Sequence, residues 1–180
     1  MPMQLEVRPD PQSSTNLQWI GGRPGVGLSG RTVVALVDGD RTLWEAAIED
    51  HYGCIGRAML TWPQANVAMI GTYSDAYALD WATGALKHHW TLDIPYPDFV
   101  LPPGTGQLLI FDWQNVRSIS TTLHTTWYAR YVAVDGIRLV NVKDNLMTVD
   151  ACYDPPDFWE RVTIDLATGE VRSRIPIDAD

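Results

Sequence analysis

Hydrophobic and polar residues alternate along most of the chain in short runs, as they do in half-buried β-strands. The runs are rich in Val, Ile, Thr, Tyr and Trp, and Gly, Pro, Asn and Asp separate them. Only residues 42–50 contain enough good helix formers for a helix to compete with a strand. The pattern predicts an all-β protein, with clear strand candidates at residues 32–38, 66–72, 107–111, 146–153 and 159–165.

One short turn sequence occurs twice. The segment Asp80-Trp81-Ala82-Thr83-Gly84 recurs 85 residues later as Asp165-Leu166-Ala167-Thr168-Gly169, and each copy lies between two strand-like runs. Half of that spacing, about 42 residues, places two weaker turns at Asp38 and Thr122. Four strand–turn–strand units therefore fit the chain. A period of about 40–45 residues with four strands per unit is typical of a propeller blade.

The strand, the D-x-x-T-G turn and the following strand resemble the repeats of WD40-like and quinoprotein-like β-propellers. In such a turn Asp and Thr side chains bond the backbone, and glycine accepts a positive φ. The WD40 signature dipeptides and the tryptophan-docking pattern of quinoprotein enzymes are not seen, so no cofactor role carries over. The resemblance covers roughly residues 32–177. It implies a small β-propeller or propeller-like repeat of about four antiparallel four-stranded blades, with a β-sandwich or curved sheet as the alternative.

The length of the chain favours a single domain. We expect residues 1–180 to form one domain, with repeats at approximately 1–50, 51–92, 93–135 and 136–180. Four blades is the low limit for a closed propeller. A half-propeller that a second copy closes, or a scaffold subunit that a partner chain completes, is therefore an alternative.

The charge of the chain excludes several classes of partner. There are 13 Lys and Arg against 22 Asp and Glu, which gives a net charge of −9. Neither nucleic acid nor anionic lipid is expected to bind, because both need a basic surface. No run approaches the roughly 20 apolar residues of a membrane span, and no secretory signal is visible. We expect a cytoplasmic protein in which Cys54 and Cys152 are buried free thiols.

No residue pattern specifies catalysis, a metal or a cofactor. Residues 25–32 approach a phosphate-binding loop, but Arg31 replaces the lysine and a strand follows instead of a helix. His88 and His89 are adjacent in a predicted strand, so they point to opposite faces and cannot chelate one ion. The two Cys and four His show no ligand-pair spacing. A non-enzymatic protein without catalytic residues, cofactor or metal is therefore expected.

Acidic and aromatic residues concentrate in one set of predicted loops. In a propeller, the loops between blades and the loops between the two middle strands of each blade lie on one face. Here these are residues 49–54, 72–75, 92–98, 112–115, 133–136 and 153–157, which contain nine acids and neither Lys nor Arg. The predicted partner-binding residues are Glu49, Asp50, Tyr52, Tyr73, Asp75, Asp93, Tyr96, Asp98, Asp112, Trp113, Asp135, Asp154 and Asp157.

An acidic face that carries aromatic side chains suits a basic protein partner, through long-range attraction followed by aromatic anchoring. We therefore expect an acidic protein-binding module. Its size and the missing catalytic motifs favour a bacterial immunity protein or antitoxin that occludes a basic toxin domain. The alternative is a propeller enzyme or ligand-binding protein that applies carboxylates at the mouth of its channel to a carbohydrate or Ca²⁺. Its candidate residues are Asp75, Asp98 and Asp157, with His51.

Overall fold

The structure is a computed structural model that describes residues 3–8, 18–20, 31–49, 58–154 and 158–177. Sixteen strands are found in these ranges, and they form four four-stranded sheets. Apart from one turn of 3₁₀ helix at Pro63–Ala65, the described secondary structure consists of strands and turns. The predicted all-β, propeller-like repeat of four four-stranded units is confirmed.

Sheet 1 contains β1 (Gln4–Arg8), β2 (Gln18–Ile20), β3 (Arg31–Asp38) and β4 (Arg41–Glu49), in the order β1-β3-β4-β2. Its β2 runs parallel to β4, whereas the other two pairs are antiparallel. The expectation of purely antiparallel blades is therefore wrong for this one strand pair. Hairpins join only antiparallel neighbours, and β2 and β4 are separated along the chain by β3.

The segment where a helix could compete is a strand. Trp44, Ala46 and Ile48 of β4 all point into the same buried cluster, which is the period of two that a strand requires. Opposite them, β3 supplies Val34 and Leu36 to that cluster. Burial of this apolar face, rather than intrinsic helix propensity, decides the local structure.

Sheet 2 is a consecutive antiparallel meander. It contains β5 (Met59–Trp62), β6 (Val67–Gly71), β7 (Asp75–Asp80) and β8 (Leu86–Thr91). Short hairpins keep neighbouring strands adjacent in space, so alternate residues of β6 and β7 face the same core.

Sheets 3 and 4 repeat the meander. Sheet 3 contains β9 (Asp98–Val100), β10 (Leu108–Phe111), β11 (Val116–Ile119) and β12 (Thr125–Ala129). Sheet 4 contains β13 (Ile137–Lys143), β14 (Leu146–Asp154), β15 (Phe158–Asp165) and β16 (Val171–Ile177).

The contacts divide the chain into two compact units, Met1–Asp98 and Phe99–Asp180, called unit 1 and unit 2 below. In unit 1 the faces of sheets 1 and 2 share one hydrophobic cluster, and in unit 2 those of sheets 3 and 4 share another. The fundamental packed element is therefore a pair of sheets, because a single sheet cannot cover its own apolar face. The organisation as one domain with the four repeat limits given above stays a prediction.

Each D-x-A-T-G turn is closed by its own aspartate. Asp80 Oδ1 accepts hydrogen bonds from the backbone N–H groups of Ala82 and Thr83, at 3.0 and 2.9 Å. Asp165 Oδ1 accepts one from Ala167 N at 2.8 Å. The glycine that ends each turn has a φ of 74°, which suits glycine and strains any other L-residue.

A tryptophan from the preceding sheet docks on each of these turns. Trp44 Nε1 donates a hydrogen bond of 2.9 Å to the carbonyl of Trp81, and Trp127 Nε1 donates one of 2.7 Å to the carbonyl of Leu166. Docking tryptophans are thus present, contrary to the sequence analysis. The sequence analysis missed them because each docking tryptophan lies in the sheet before the turn that it contacts. Neither of the two repeated turn segments therefore contains its docking tryptophan.

Candidate functional site

The predicted binding loops of unit 1 are bonded to each other. Loop 72–75 joins β6 to β7, and loop 92–98 follows β8. Leu92 N donates to Ser74 O and Tyr96 N donates to Tyr73 O, both at 2.8 Å. The rings of Tyr73 and Tyr96 meet edge to face, with centroids 5.2 Å apart. We call residues 72–75 and 92–98 loop cluster 1, and the structure brings Tyr73, Asp75, Asp93, Tyr96 and Asp98 together in it.

Asp75 of loop cluster 1 contacts neighbouring side chains. Its Oδ1 lies 2.7 Å from His89 Nε2 on β8, and its Oδ2 accepts a hydrogen bond of 3.0 Å from Ser74 Oγ. The His89 ring in turn stacks on Tyr77, with centroids 4.8 Å apart and planes 9° from parallel. Asp75 therefore helps to orient His89 at the rim of sheet 2, and a quarter of its own side chain is exposed.

The acids of unit 1 influence one buried phenol. Burial, together with the negative charges of Asp75 and Glu49, raises the pKa of Tyr77 to about 12. Both carboxylates therefore lie close enough to Tyr77 to act on it. The predicted residue Glu49, at the end of β4, accordingly shares an electrostatic environment with Asp75 of loop cluster 1.

The predicted loops of unit 2 form a second bonded group. Loop 112–115 contacts the segment after β12, since Val132 N donates to Gln114 O at 2.7 Å and Gly136 N donates to Trp113 O at 2.9 Å. That segment also bonds the end of β14, where Val134 N donates to Cys152 O at 2.8 Å. We call residues 112–115, 131–136 and 152–154 loop cluster 2. It contains the predicted residues Asp112, Trp113, Asp135 and Asp154.

Asp112 is a turn-forming residue within loop cluster 2. Only 6% of it is exposed, and its Oδ1 accepts hydrogen bonds from the backbone of Gln114 at 2.8 Å and of Asn115 at 2.6 Å. The turn that it closes presents Trp113, which is 43% exposed. Asp112 therefore positions an aromatic side chain, whereas Asp135 and Asp154 are exposed carboxylates.

Loop cluster 2 also contains features that the sequence analysis missed. Tyr131 is 71% exposed, more than the other exposed large hydrophobic side chains of the described chain. Arg174 of β16 reaches the cluster, with its Nη1 3.2 Å from the carbonyl of Val132 and its guanidinium over the Tyr153 ring at 5.0 Å. The loop sequences contain no base, but a cation from a distant strand packs among them, and no local sequence signal could have identified it.

Some predicted residues cannot be placed. Asp50, Tyr52 and Asp157 lie outside the described residues, as does His51. Of the carboxylates proposed for a carbohydrate or Ca²⁺ site, Asp75 and Asp98 are described, and both belong to loop cluster 1. Among the described residues, no group of three or more His, Cys, Asp or Glu side chains could hold a metal ion. In the same part of the chain, no helix has the length and hydropathy to span a membrane.

Comparisons with known proteins give structural similarity alone. No protein-family model and no curated protein sequence matches the chain. Among solved structures, it is similar to BamB from Moraxella catarrhalis, with a TM-score of 0.56 and 19% identity over 79% of this chain and 43% of that one. It is also similar to Kuenenia stuttgartiensis hydrazine synthase, with a TM-score of 0.57 and 14% identity over 81% and 43% of the two chains.

A third similar structure is the dihydro-heme d1 dehydrogenase NirN, with a TM-score of 0.58 and 12% identity over 83% of this chain and 34% of that one. The chain thus spans less than half the length of each of these three proteins. At such low identity the similarity shows the fold, an all-β propeller-like repeat.

Proposed function

We propose that the chain is a non-enzymatic, acidic protein-binding module, and in its most specific form an immunity protein or antitoxin that occludes a basic toxin domain in the bacterial cytoplasm. One observation carries the proposal. In each unit, loops among the acidic, aromatic-bearing ones that the sequence singled out are hydrogen-bonded into one cluster: 72–75 with 92–98 in unit 1, and 112–115 with 133–136 and the end of β14 in unit 2. A rigid cluster of this kind binds without first having to order flexible loops.

The charge of the chain supports a basic partner. A net charge of −9 attracts a positively charged protein from beyond contact distance and speeds association. The exposed carboxylates of Asp93, Asp98, Asp135 and Asp154 supply this charge within the two loop clusters. Tyr and Trp side chains beside them provide the apolar anchoring that usually dominates the binding energy.

The proposed mechanism is occlusion. The acids steer the basic domain onto the loop clusters, the aromatic side chains pack against it, and the covered surface is closed to its substrate. The proposed mechanism requires no bond-making step from this chain.

The experiment uses the product of the reading frame next to the gene for this chain. We expect the two proteins to co-purify and this chain to protect cells from the growth defect that the product causes. In the triple variant Asp93→Lys, Asp135→Lys and Asp154→Lys we expect at least a roughly tenfold loss of affinity and loss of protection, because attraction becomes repulsion. The inhibitor hypothesis fails if the neighbouring product neither binds nor causes a growth defect.

A matched variant separates local from global charge. Asp38→Lys, Asp40→Lys and Asp144→Lys make the same change in net charge, but these residues lie in the hairpin turns between β3 and β4 and between β13 and β14. The β13–β14 turn is at the end of β14 opposite residues 152–154 of loop cluster 2, and the β3–β4 turn is at the end of β4 opposite Glu49. We expect this variant to keep binding and protection. Equal losses in both variants would contradict a role for the loop clusters.

A further inference from the structure

Tyr131 combines two unusual properties. Its φ is 54°, in the left-handed region that favours glycine and asparagine and strains a tyrosine. Its side chain gains nothing from the core, since the residue is 71% exposed. A glycine or asparagine would suit this backbone better, so the tyrosine at this position needs another explanation.

The strained backbone of Tyr131 is held by three other side chains. Its N–H donates a 3.0 Å hydrogen bond to Asn115 Oδ1. Its carbonyl accepts hydrogen bonds from Tyr153 Oη at 3.2 Å and from Arg174 Nη2 at 3.4 Å. The main chain is therefore fixed from both sides while the ring projects outward. A main chain held in this way needs no further ordering when a partner packs on the ring.

Tyr96 in unit 1 provides a comparison. It too has a positive φ, of 64°, but its ring packs edge to face against Tyr73, a contact that offsets part of the strain. Among the described residues, no ring or hydrogen-bonding partner contacts the Tyr131 side chain. Each loop cluster thus contains a tyrosine whose backbone is in the left-handed region. Only in loop cluster 2 does the ring of that tyrosine project outward without such a contact.

The aromatic rings of unit 2 are partners for arginine. Arg117 and Arg130 lie over the Tyr128 ring at 4.6 and 4.9 Å, and Arg174 lies over Tyr153 at 5.0 Å. These guanidinium groups all come from the chain itself. The Tyr131 ring offers the same π-surface to a cation from outside. Asp135 and Asp154, two exposed carboxylates of the same loop cluster, complement such a cation.

We propose that Tyr131 is a pre-organised anchor that stacks on an arginine side chain of a basic partner protein. This inference rests on the proposed function and deepens it, because it names the group on the partner that loop cluster 2 takes up. In this account, the strain at residue 131 is retained because it points the ring outward.

The test uses a fluorescein-labelled nonaarginine peptide as the probe, with nonaglutamate as the charge control, and measures fluorescence anisotropy with the full chain at low salt. We expect nonaarginine to bind and nonaglutamate not to bind. Tyr131→Gly should weaken nonaarginine binding by roughly 3- to 30-fold, the range of a partly desolvated cation–π contact. Tyr131→Phe should retain the affinity of the wild type, because the ring and not the hydroxyl makes the contact.

The glycine variant is chosen so that it folds, since glycine accepts the left-handed backbone of residue 131. Leu123→Gly is its matched control. Leu123 also has a positive φ, of 65°, and lies in unit 2 in the turn before β12, at the other end of that strand. We expect Leu123→Gly to bind nonaarginine as the wild type does.

The outcomes distinguish the anchor from the acidic surface. If Tyr131→Gly binds like the wild type but the double variant Asp135→Lys and Asp154→Lys binds more weakly, the proposal that Tyr131 is an anchor is wrong. The proposal that the acidic surface binds a basic partner is then retained. If neither variant weakens binding, or if the wild type prefers nonaglutamate, both proposals fail.

Discussion

At the scale of single residues, the most constrained positions are the glycines beneath the docked tryptophans. A Cβ at Gly169 would lie 2.6 Å from Trp127 Cε3, and one at Gly84 would lie 2.8 Å from Trp44 Cδ2. Real Cβ atoms do not approach so closely, and the neighbour in each case is a buried indole that cannot move freely. These two glycines are therefore required for packing as well as for their backbone conformation.

We predict that Gly169→Ala lowers the free energy of unfolding by about 2–4 kcal/mol, because overpacking adds to the left-handed strain. The matched control is Gly104→Ala. Gly104 has nearly the same φ, 75°, but open space around its Cα. In that variant the free energy of unfolding should fall by only about 1 kcal/mol. Urea denaturation followed by tryptophan fluorescence measures both, and equal losses would contradict the packing explanation.

The sequence predicted the turn at these residues but not its tryptophan. Asp, Thr and Gly at fixed offsets specify a turn through local hydrogen bonds, which a sequence displays directly. Trp44 and Trp81 are 37 residues apart, and Trp127 and Leu166 are 39 apart. Contacts at such distances depend on how sheets pack. The positive φ of Tyr131 was missed for a different reason, because tyrosine, unlike glycine or asparagine, does not indicate a left-handed backbone.

At the scale of secondary-structure elements, sheet 4 contains a charged row across three strands. Asp150 on β14 is paired with Arg138 on β13, at 3.1 Å from Nη2 to Oδ2, and with Arg161 on β15, at 2.9 Å from Nε to Oδ1. Burial acts to raise the pKa of Asp150, but the hydrogen bonds from Arg161 and Arg138 outweigh it and hold that pKa below its ordinary value of 3.8.

This pairing predicts acid sensitivity. A carboxyl group whose pKa is lower in the folded state contributes stability above its unfolded pKa, and that contribution is lost as the pH falls through the folded pKa. Asp150→Asn should lower the free energy of unfolding by about 1–2 kcal/mol at pH 7. We expect no larger loss because solvent reaches both arginine side chains and screens the ion pairs. At acidic pH the difference should shrink, since the wild-type carboxyl also becomes neutral as the pH falls through its lowered pKa.

Melting temperatures at both pH values test the pairing. Asp144→Asn is the control, because the Asp144 side chain is 82% exposed and its nearest cation is 4.0 Å away. We expect no measurable pH-dependent difference for that variant. A pH-independent loss in Asp150→Asn would show that shape, rather than charge, matters at this position.

The strands themselves were largely predictable. Two patterns located the strands of sheets 2, 3 and 4. Some, such as β13, alternate between half-buried and exposed residues, whereas β6 and β10 are buried along their whole length and stand out in the sequence as short apolar runs. Sheet 1 was the exception. Its three-residue β2 is too short for a pattern, and its parallel pairing with β4 depends on a connection that periodicity does not specify.

At the scale of the whole molecule, the net charge of −9 makes a kinetic prediction. Electrostatic steering acts mainly on association, so the triple variant Asp93→Lys, Asp135→Lys and Asp154→Lys should slow association with the proposed basic partner more than it speeds dissociation. The difference between this variant and the wild type should diminish as salt screens the charges. Surface plasmon resonance at two ionic strengths measures the association and dissociation rates of both proteins. A change in the dissociation rate alone would contradict electrostatic steering.

Sequence reasoning located the candidate surface only in part. It identified the acidic loops because Asp and Tyr lie between strands in the sequence. It could not show that the Asp112 carboxylate accepts hydrogen bonds from the backbone of its own turn. In a sequence, such an aspartate is identical to one whose carboxylate faces solvent. Sequence reasoning likewise could not place Arg174 in loop cluster 2, because β16 lies about 40 residues after the segment that the arginine contacts.

Hydrogen–deuterium exchange of the chain, with and without the proposed basic partner, tests whether the loop clusters form the binding surface. We expect protection on binding at residues 72–75, 92–98, 112–115, 131–136 and 152–154, the two loop clusters. We expect no change at the turns 80–84, 120–124 and 165–169, which lie at the other ends of their strands. Protection at those turns with unchanged exchange in the loop clusters would contradict this proposal.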